Sequence, residues 1–311
     1  MVSSTATSVR STHDGNTFLV KEPGTIKSTK KDAAAFASLL EKPQPGCNAL
    51  DLKNLTRADE SRFTRWQETV LLRTLVNNRA GPGKNEGEGL SDMSSCLEFN
   101  VIGTHSSFSG AHVDGLPGTW LRVLTGTKLW FIPDDMSPDD WEAFGRLGPD
   151  WIPAGPCKII VLEPDDVLVM RSGTPVVHAA MSLDLCILQG GMFWEFSSAA
   201  GILESLRWIA ENQLATNEEL ALQLPDVIER LVQLLDSSPE LFTTHLSQPD
   251  HDAHIQDLRA LAEDMWNLGC ACKAGCRSSC PCELDGRRCL PWCAGHSKKG
   301  KGQMRACMKI L

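Results

Sequence analysis

The 311-residue chain has no tyrosine, and aromatic residues make up only 6% of it. No step that needs a phenolic hydroxyl, as acid, donor or anchor, is therefore open to it. No apolar run approaches the roughly 18 residues that a membrane helix requires, so no membrane partner is expected. Met1 to Asn16 are rich in Ser and Thr and lack the apolar core of a secretory leader. These absences give an expectation of an intracellular protein, whose cysteines stay reduced or hold metal. What remains is a composition of 42% apolar and 22% charged residues. That suits a globular core, and the length suits about two domains.

Charge and cysteine are unevenly placed. From Gly269 onward nine Lys/Arg face two acids, a net +7 within a chain of net -9, which leaves -16 on residues 1–268. A basic tail on an acidic body points to a polyanion as its partner. Eight of the 12 cysteines fall between Cys270 and Cys307.

Residues 1–45 lack sustained periodicity and are expected to form a flexible arm with at most one short strand or helix. Residues 46–95 are expected to be helical support, with Phe63, Trp66 and Val70 at helical spacing from Thr56 through Val76, and a Gly-rich loop over Ala80–Leu90. Residues 96–196 change to short β-rich runs: Cys96–Ile102, Thr119–Leu124, Lys128–Ile132, Lys158–Leu162, Val167–Met170, Val176–Ala180 and Leu185–Leu188. Thr125-Gly126, Pro164-Asp165 and Ser182-Leu183-Asp184 mark turns, and Asp134–Leu147 reads as a helical insertion. So many short strands in about 100 residues predict a mainly β core with α additions, a double-stranded β-helix of the cupin or jelly-roll kind. Helical spacing returns over residues 197–268 in three segments, a cap or dimerisation region, with His245, His251 and His254 in a polar loop before the last. Residues 269–311 form the Cys-rich module.

The chemistry centres on Gly110-Ala111-His112-Val113-Asp114. On an extended segment side chains repeat with period 2, so His112 and Asp114 point the same way, two thirds of a 2-His-1-carboxylate iron site. With 8 His and 21 Asp in 311 residues, chance alone supplies about half an H-x-D, and context has to supply the specificity. His178, in a β-run 64 residues after Asp114, is the candidate third ligand, although a histidine in an apolar run is more often a satisfied core residue. Lys128, 14 residues after Asp114, reads on its own as an exposed edge or rim lysine.

The stretches AHVDGLPGTWLRVLTGTKLWFIP and EPDDVLVMRSGTPVVHAAMSLDLCILQGGMFW resemble the JmjC family of Fe(II)- and 2-oxoglutarate-dependent oxygenases over roughly residues 96–196. The resemblance is closest to the histone-demethylase-like branch and its fungal members. It implies His112, Asp114 and His178 as iron ligands, Lys128 as ion-pair partner of 2-oxoglutarate, and Ser109 as a hydroxyl to the same carboxylate. It implies oxidative decarboxylation of 2-oxoglutarate coupled to hydroxylation of a substrate C–H; on an N-methyl group the product collapses to formaldehyde and the demethylated amine. The chain departs from the family at Gly190-Gly191-Met192-Phe193, where relatives carry Gly-Gly-Asn-Phe, and in lacking tyrosine. Trp120, Trp130, Phe131, Phe193 and Trp194 are the rings left to line a pocket.

The tail places Cys270, Cys272, Cys276, Cys280, Cys282, Cys289 and Cys293 before His296 and Cys307. Eight cysteines in 38 residues without a secretion signal point to zinc rather than to a disulfide framework. The spacing resembles the CXC domains of tesmin-like and chromatin proteins, which hold three zinc ions with nine cysteines and bind DNA. Gly295 stands where that pattern has a cysteine. With His296 as ninth ligand and three bridging thiolates, three tetrahedral zincs are satisfied; eight thiolates alone make two four-cysteine sites. Lys273, Arg277, Arg287, Arg288, Lys298, Lys299, Lys301 and Arg305 are candidates for phosphate contact, or else solvate the module or serve as a nuclear-import patch.

The expected function is a nuclear iron oxygenase acting on chromatin, with histone methyl-lysine demethylation first. A protein hydroxylase and a catalytically silent DNA- or chromatin-binding protein are the alternatives.

Overall fold

The computed structural model describes residues 17–23, 28–52, 70–77, 93–272 and 280–293. Its centre is a pair of antiparallel sheets. With β1 at Thr17–Lys21, β2 at Ser28–Asp32 and β3 at Asn48–Leu52, the larger runs β2-β1-β3-β4-β11-β6-β9 and the smaller β5-β10-β7-β8. From β4 onward the strands are β4 (Phe99–Gly103), β5 (Phe108–His112), β6 (Thr119–Thr125), β7 (Lys128–Pro133), β8 (Cys157–Leu162), β9 (Val167–Met170), β10 (His178–Ser182) and β11 (Cys186–Met192). The chain passes back and forth between the two sheets along this order, which makes the domain a double-stranded β-helix, the cupin jelly roll. Alternate residues serve different layers. Val101, Leu121 and Leu188 line a cavity between the sheets, whereas Ile102 and Ile187, one residue away, pack under the amino-terminal segment.

Thr125-Gly126 forms the expected turn between β6 and β7. Gly126 has φ +82°, and a Cβ there would lie 2.5 Å from the Leu185 carbonyl oxygen. Gly126→Ala is therefore expected to destabilise the protein by about 1–3 kcal/mol in urea unfolding, through left-handed strain and the close carbonyl.

The amino-terminal expectation is corrected. The described residues 17–23 and 28–52 are no loose arm: β1 (Thr17–Lys21) and β2 (Ser28–Asp32) pair antiparallel, α1 (Ala33–Glu41) follows, and β3 (Asn48–Leu52) joins that pair to β4, while residues 1–16 of the expected arm lie outside the described residues. The cause is visible in alternation, with Phe18 and Val20 buried and Leu19 exposed, and in Ala33, Phe36, Ala37 and Leu40 at helical spacing. These side chains cover Ile102 and Ile187 on the outer face of the larger sheet. Asp32 caps α1 by accepting from the Ala35 N–H at 2.8 Å. Within 46–95, β3 also replaces part of the expected helical support. Of the helix expected from Thr56, the described part is α2 (Leu71–Asn77); its beginning and the loop Ala80–Leu90 lie outside the described residues.

Two further boundaries moved. The run expected as a strand from Cys96 opens with a helical turn, Ser94–Leu97, before β4, and the run from Val176 pairs only from His178. The insertion is helical as expected, α3 (Pro138–Leu147), where Ser137 and Asp140 form a reciprocal capping box.

Three amphipathic helices follow: α4 (Ala199–Glu211), α5 (Leu224–Ser237) and α6 (His251–Asn267). His251 and His254 lie in the first turn of α6, not in the loop expected to hold them, ahead of its buried stripe Ile255, Leu258, Ala262 and Met265. One hydrophobic core runs from Met192 and Trp194 through Leu206, Leu231 and Leu258 to Cys270, Leu290 and Trp292. The described part of the Cys-rich module, including the one-turn helix α7 (Pro281–Leu284), is thus docked on the helical layer.

Candidate metal centres

β5 and β10 pair so that His112 lies directly opposite His178, with ring centroids 4.2 Å apart. Asp114, two residues beyond His112, brings Oδ1 to 3.9 Å from His178 Nε2. One ligand atom from each of the three residues lies within 4.8 Å of the others. The triad expected from the sequence is therefore assembled on one wall of the cavity.

Neighbouring groups fix each ligand. His112 Nδ1 is 2.7 Å from the Gly110 carbonyl and His178 Nδ1 is 2.9 Å from the Val176 carbonyl. A carbonyl only accepts, so each Nδ1 carries the proton and each Nε2 keeps its lone pair for a metal. Burial holds His112 down at about 3, helped by His178, and His178 down at about 4. Both imidazoles are neutral at pH 7 and release no proton on binding a cation. Burial pushes Asp114 the other way, upward. The Thr119 hydroxyl donates to Asp114 Oδ2 at 2.5 Å and turns Oδ1 towards the histidines. Sequence reasoning missed Thr119, a β-run residue with no motif of its own. It stands opposite Met192 in the β6–β11 register. Met192 itself is packed in the core and does not line the cavity.

Lys128 starts β7 and is only 4% exposed. Among the described residues its ammonium has no ion-pair partner, and burial lowers it to about 8, with the Cys186 thiol opposing. It lines the same cavity as His112, Asp114 and His178, a space of about 510 Å³ counting its open mouth. Ser109 also lines it, and accepts from Asn48 Nδ2 at 3.0 Å. Of the five rings proposed as lining, Trp130 alone does so, tilted against His178 at 4.6 Å; Phe99, not anticipated, is the other aromatic wall.

The mouth was not legible in the sequence. Residues 213–219, after α4, return to the metal-ligand segment: Val113 N–H donates to the Ala215 carbonyl at 2.8 Å, and Val113 pairs in parallel with Thr216. Asn217 and Glu218 thereby border the cavity.

The second centre is a thiol cluster. Cys270, Cys282, Cys289 and Cys293 place their sulphurs within 4.8 Å of one another, and Cys270 also belongs to a group with Cys272 and Cys280. Cys282 and Cys293 are 3.7 Å apart, against about 3.8 Å for two sulphurs of a tetrahedral zinc site. The Cys270 and Leu290 amides donate to Cys293 Sγ at 3.2 and 3.3 Å, contacts that favour a thiolate. Cys270 is thus common to both groups among the described residues. Cys276, His296 and Cys307 lie outside the described residues.

No family model matches the chain. A curated relative, KK-1 biosynthesis cluster protein D of Curvularia clavata, is 35% identical over 220 residues, 70% of this chain. The chain spans 22% of that protein's length. Solved structures similar to part of the chain include a cupin superfamily protein from Desulfitobacterium hafniense (14% identity, TM-score 0.21, covering 31% of this chain and 67% of that one). A recombinant oxalate oxidase in complex with glycolate is similar at 12% identity and TM-score 0.22, over 32% of this chain and 41% of that one.

Proposed function

We propose that the chain is an Fe(II)- and 2-oxoglutarate-dependent oxygenase of JmjC type. The observation that carries this reading is Lys128, a buried cation without an ionic partner among the described residues, sharing a cavity with two neutral imidazoles and one carboxylate. Two His and one carboxylate fit Fe(II) and leave an open face. A buried lysine facing no carboxylate fits a ligand that brings its own. With Fe(II), Asp114, Lys128 and a dianion together, the formal charges cancel, so the filled cavity holds no uncompensated charge.

When bound, iron and 2-oxoglutarate would supply oxidative decarboxylation and the insertion of oxygen into a C–H bond. The chain's residues orient and shield that chemistry. Gly110 and Val176 carbonyls hold the imidazole tautomers, Thr119 aims Asp114, Lys128 holds the distal carboxylate, and Phe99, Leu121 and Trp130 keep the cavity apolar.

For the substrate we propose N-methyl-lysine on a histone tail, supported by the JmjC resemblance, by the chain's acidic body and by a basic, CXC-like module suited to DNA. Nuclear localisation and a homodimer through the helical layer belong to the same proposal. Native mass spectrometry of the full chain is expected to find two or three zinc ions besides iron, and deletion of 269–311 to weaken DNA binding. A second reading follows from the Curvularia relative, whose name places that protein in a biosynthesis cluster. It makes the substrate a small biosynthetic intermediate.

The experiment incubates iron-loaded protein with 2-oxoglutarate, oxygen and a trimethyl-lysine histone peptide, and follows peptide mass and formaldehyde. Loss of a methyl mass with matching formaldehyde is expected. A gain of one oxygen without formaldehyde would identify a hydroxylase. Succinate formed without any peptide change would favour the biosynthetic substrate.

A further inference from the structure

The two metal centres meet through one short segment. The backbone of residues 213–219 is bonded to Val113, the residue between His112 and Asp114. Its packing reaches the other histidine as well: Ala215 lies in one buried cluster with Ala111, Val113 and Val177, the residues flanking His112 and His178. Ala215 is fully buried and Val113 is 1% exposed, so this contact has no slack to take up a displacement. The other side of the segment is tied to the thiol cluster. Gln213 Nε2 donates to the Arg288 carbonyl at 3.0 Å, and Glu219 accepts from Arg288 at 3.5 Å. Arg288 precedes Cys289, a member of the four-thiol group, and Arg287 donates to the Leu268 carbonyl at 2.8 Å, two residues before the shared Cys270.

We infer that the Cys-rich module is a positioning element for the His112/Asp114/His178 site. Metal held by Cys270, Cys282, Cys289 and Cys293 fixes the backbone around Arg288, Arg288 fixes residues 213–219, and these fix the Val113 peptide and the cavity mouth. The same segment carries Asn217 and Glu218 to that mouth, so the module also governs how wide the cavity opens to a substrate. The ties are of unequal weight. Both ties to Arg288 are exposed. The Glu219–Arg288 ion pair contributes little, whereas the Gln213 bond to a backbone carbonyl is directional, is independent of salt, and is made by an Nε2 that the Ala210 carbonyl also holds, at 3.2 Å. Gln213 is therefore the positioning residue, acting through Ala215 and Val113 rather than on any reacting atom. The inference uses the oxygenase reading only to name the metal at the histidine site; the mechanical link does not need 2-oxoglutarate.

The test compares wild type with Gln213→Ala/Arg288→Ala in the full chain, with zinc content of both checked by native mass spectrometry. Hydrogen exchange at 111–115 and 213–219 is expected to accelerate about tenfold, while the β8 peptide, 157–162, is unchanged. Co(II), titrated by its visible absorption as a probe of the histidine site, is expected to bind several-fold more weakly at unaltered zinc content. Restoring Gln213 alone should recover most of both effects. Exchange and Co(II) affinity equal to wild type would overturn the inference, and so would acceleration spread equally over β8. Absence of succinate in the oxygenase assay would leave this result standing, so the two readings fail separately.

Discussion

Lys128→Met is expected to raise the dissociation constant for 2-oxoglutarate by about 10- to 150-fold, the worth of one charge-assisted hydrogen bond at a buried site. The same substitution is expected to stabilise the metal-free protein, because it removes an ammonium that burial has separated from water without an ionic partner among the described residues. Opposite signs for binding and stability distinguish a co-substrate anchor from a structural lysine, whose loss would weaken both. The pH dependence follows. Lys128 is lowered in the fold from 10.5 to about 8, so between those values the unfolded chain holds the proton more often than the folded one. Stability of the metal-free wild type therefore rises with pH across that window, and Lys128→Met lacks the rise. Thermal unfolding at a series of pH values, together with calorimetric titration of 2-oxoglutarate, measures both.

His112→Ala is expected to weaken iron binding by more than about 100-fold and to abolish turnover, while leaving the fold intact. Its ring sits at the cavity wall rather than in the packed centre, so removing it enlarges a space that already exists. Asp114→Asn keeps the shape but removes the charge, and is expected to resemble His112→Ala in activity. Thr119→Val should fall between them and wild type, at about 10- to 100-fold loss, because it frees the carboxylate to rotate without deleting a ligand. Iron content after gel filtration and the rate of 2-oxoglutarate consumption report the series. Equal activity of Thr119→Val and wild type would remove Thr119 from the site.

How far the sequence reveals this site depends on how each residue is held. His112 and Asp114 were legible because a period of 2 on an extended segment is local, and His178 because a β-run at the right distance placed it on the paired strand. Ordered motifs pointed to Lys128. Thr119 lies only five residues beyond Asp114, but a threonine in a β-run has no motif to mark it. Ser109 was named, whereas its partner Asn48, 61 positions earlier, was not, because such a contact is a non-local property that no short window contains. Residues 213–219 reach Val113 from about 100 positions away, over a helix whose own pattern says only that it is amphipathic. The pairing of β1 with β2 is hidden in the sequence because β2 is the polar edge strand STKKD. Its five residues carry no apolar alternation, although Phe18 and Val20 in β1 do. The cysteines gave the metal but not its grouping, since Cys270 is shared only because the fold brings it to both clusters.

Succinate formation is the direct test of whether the His112/Asp114/His178 cavity is an iron oxygenase site anchored by Lys128. Iron-loaded wild type is expected to convert 2-oxoglutarate to succinate in an oxygen-dependent reaction, even slowly and without substrate. His112→Ala, treated identically, is expected to form none. Absence of succinate from wild type with iron content verified, or equal succinate from wild type and His112→Ala, would contradict the claim.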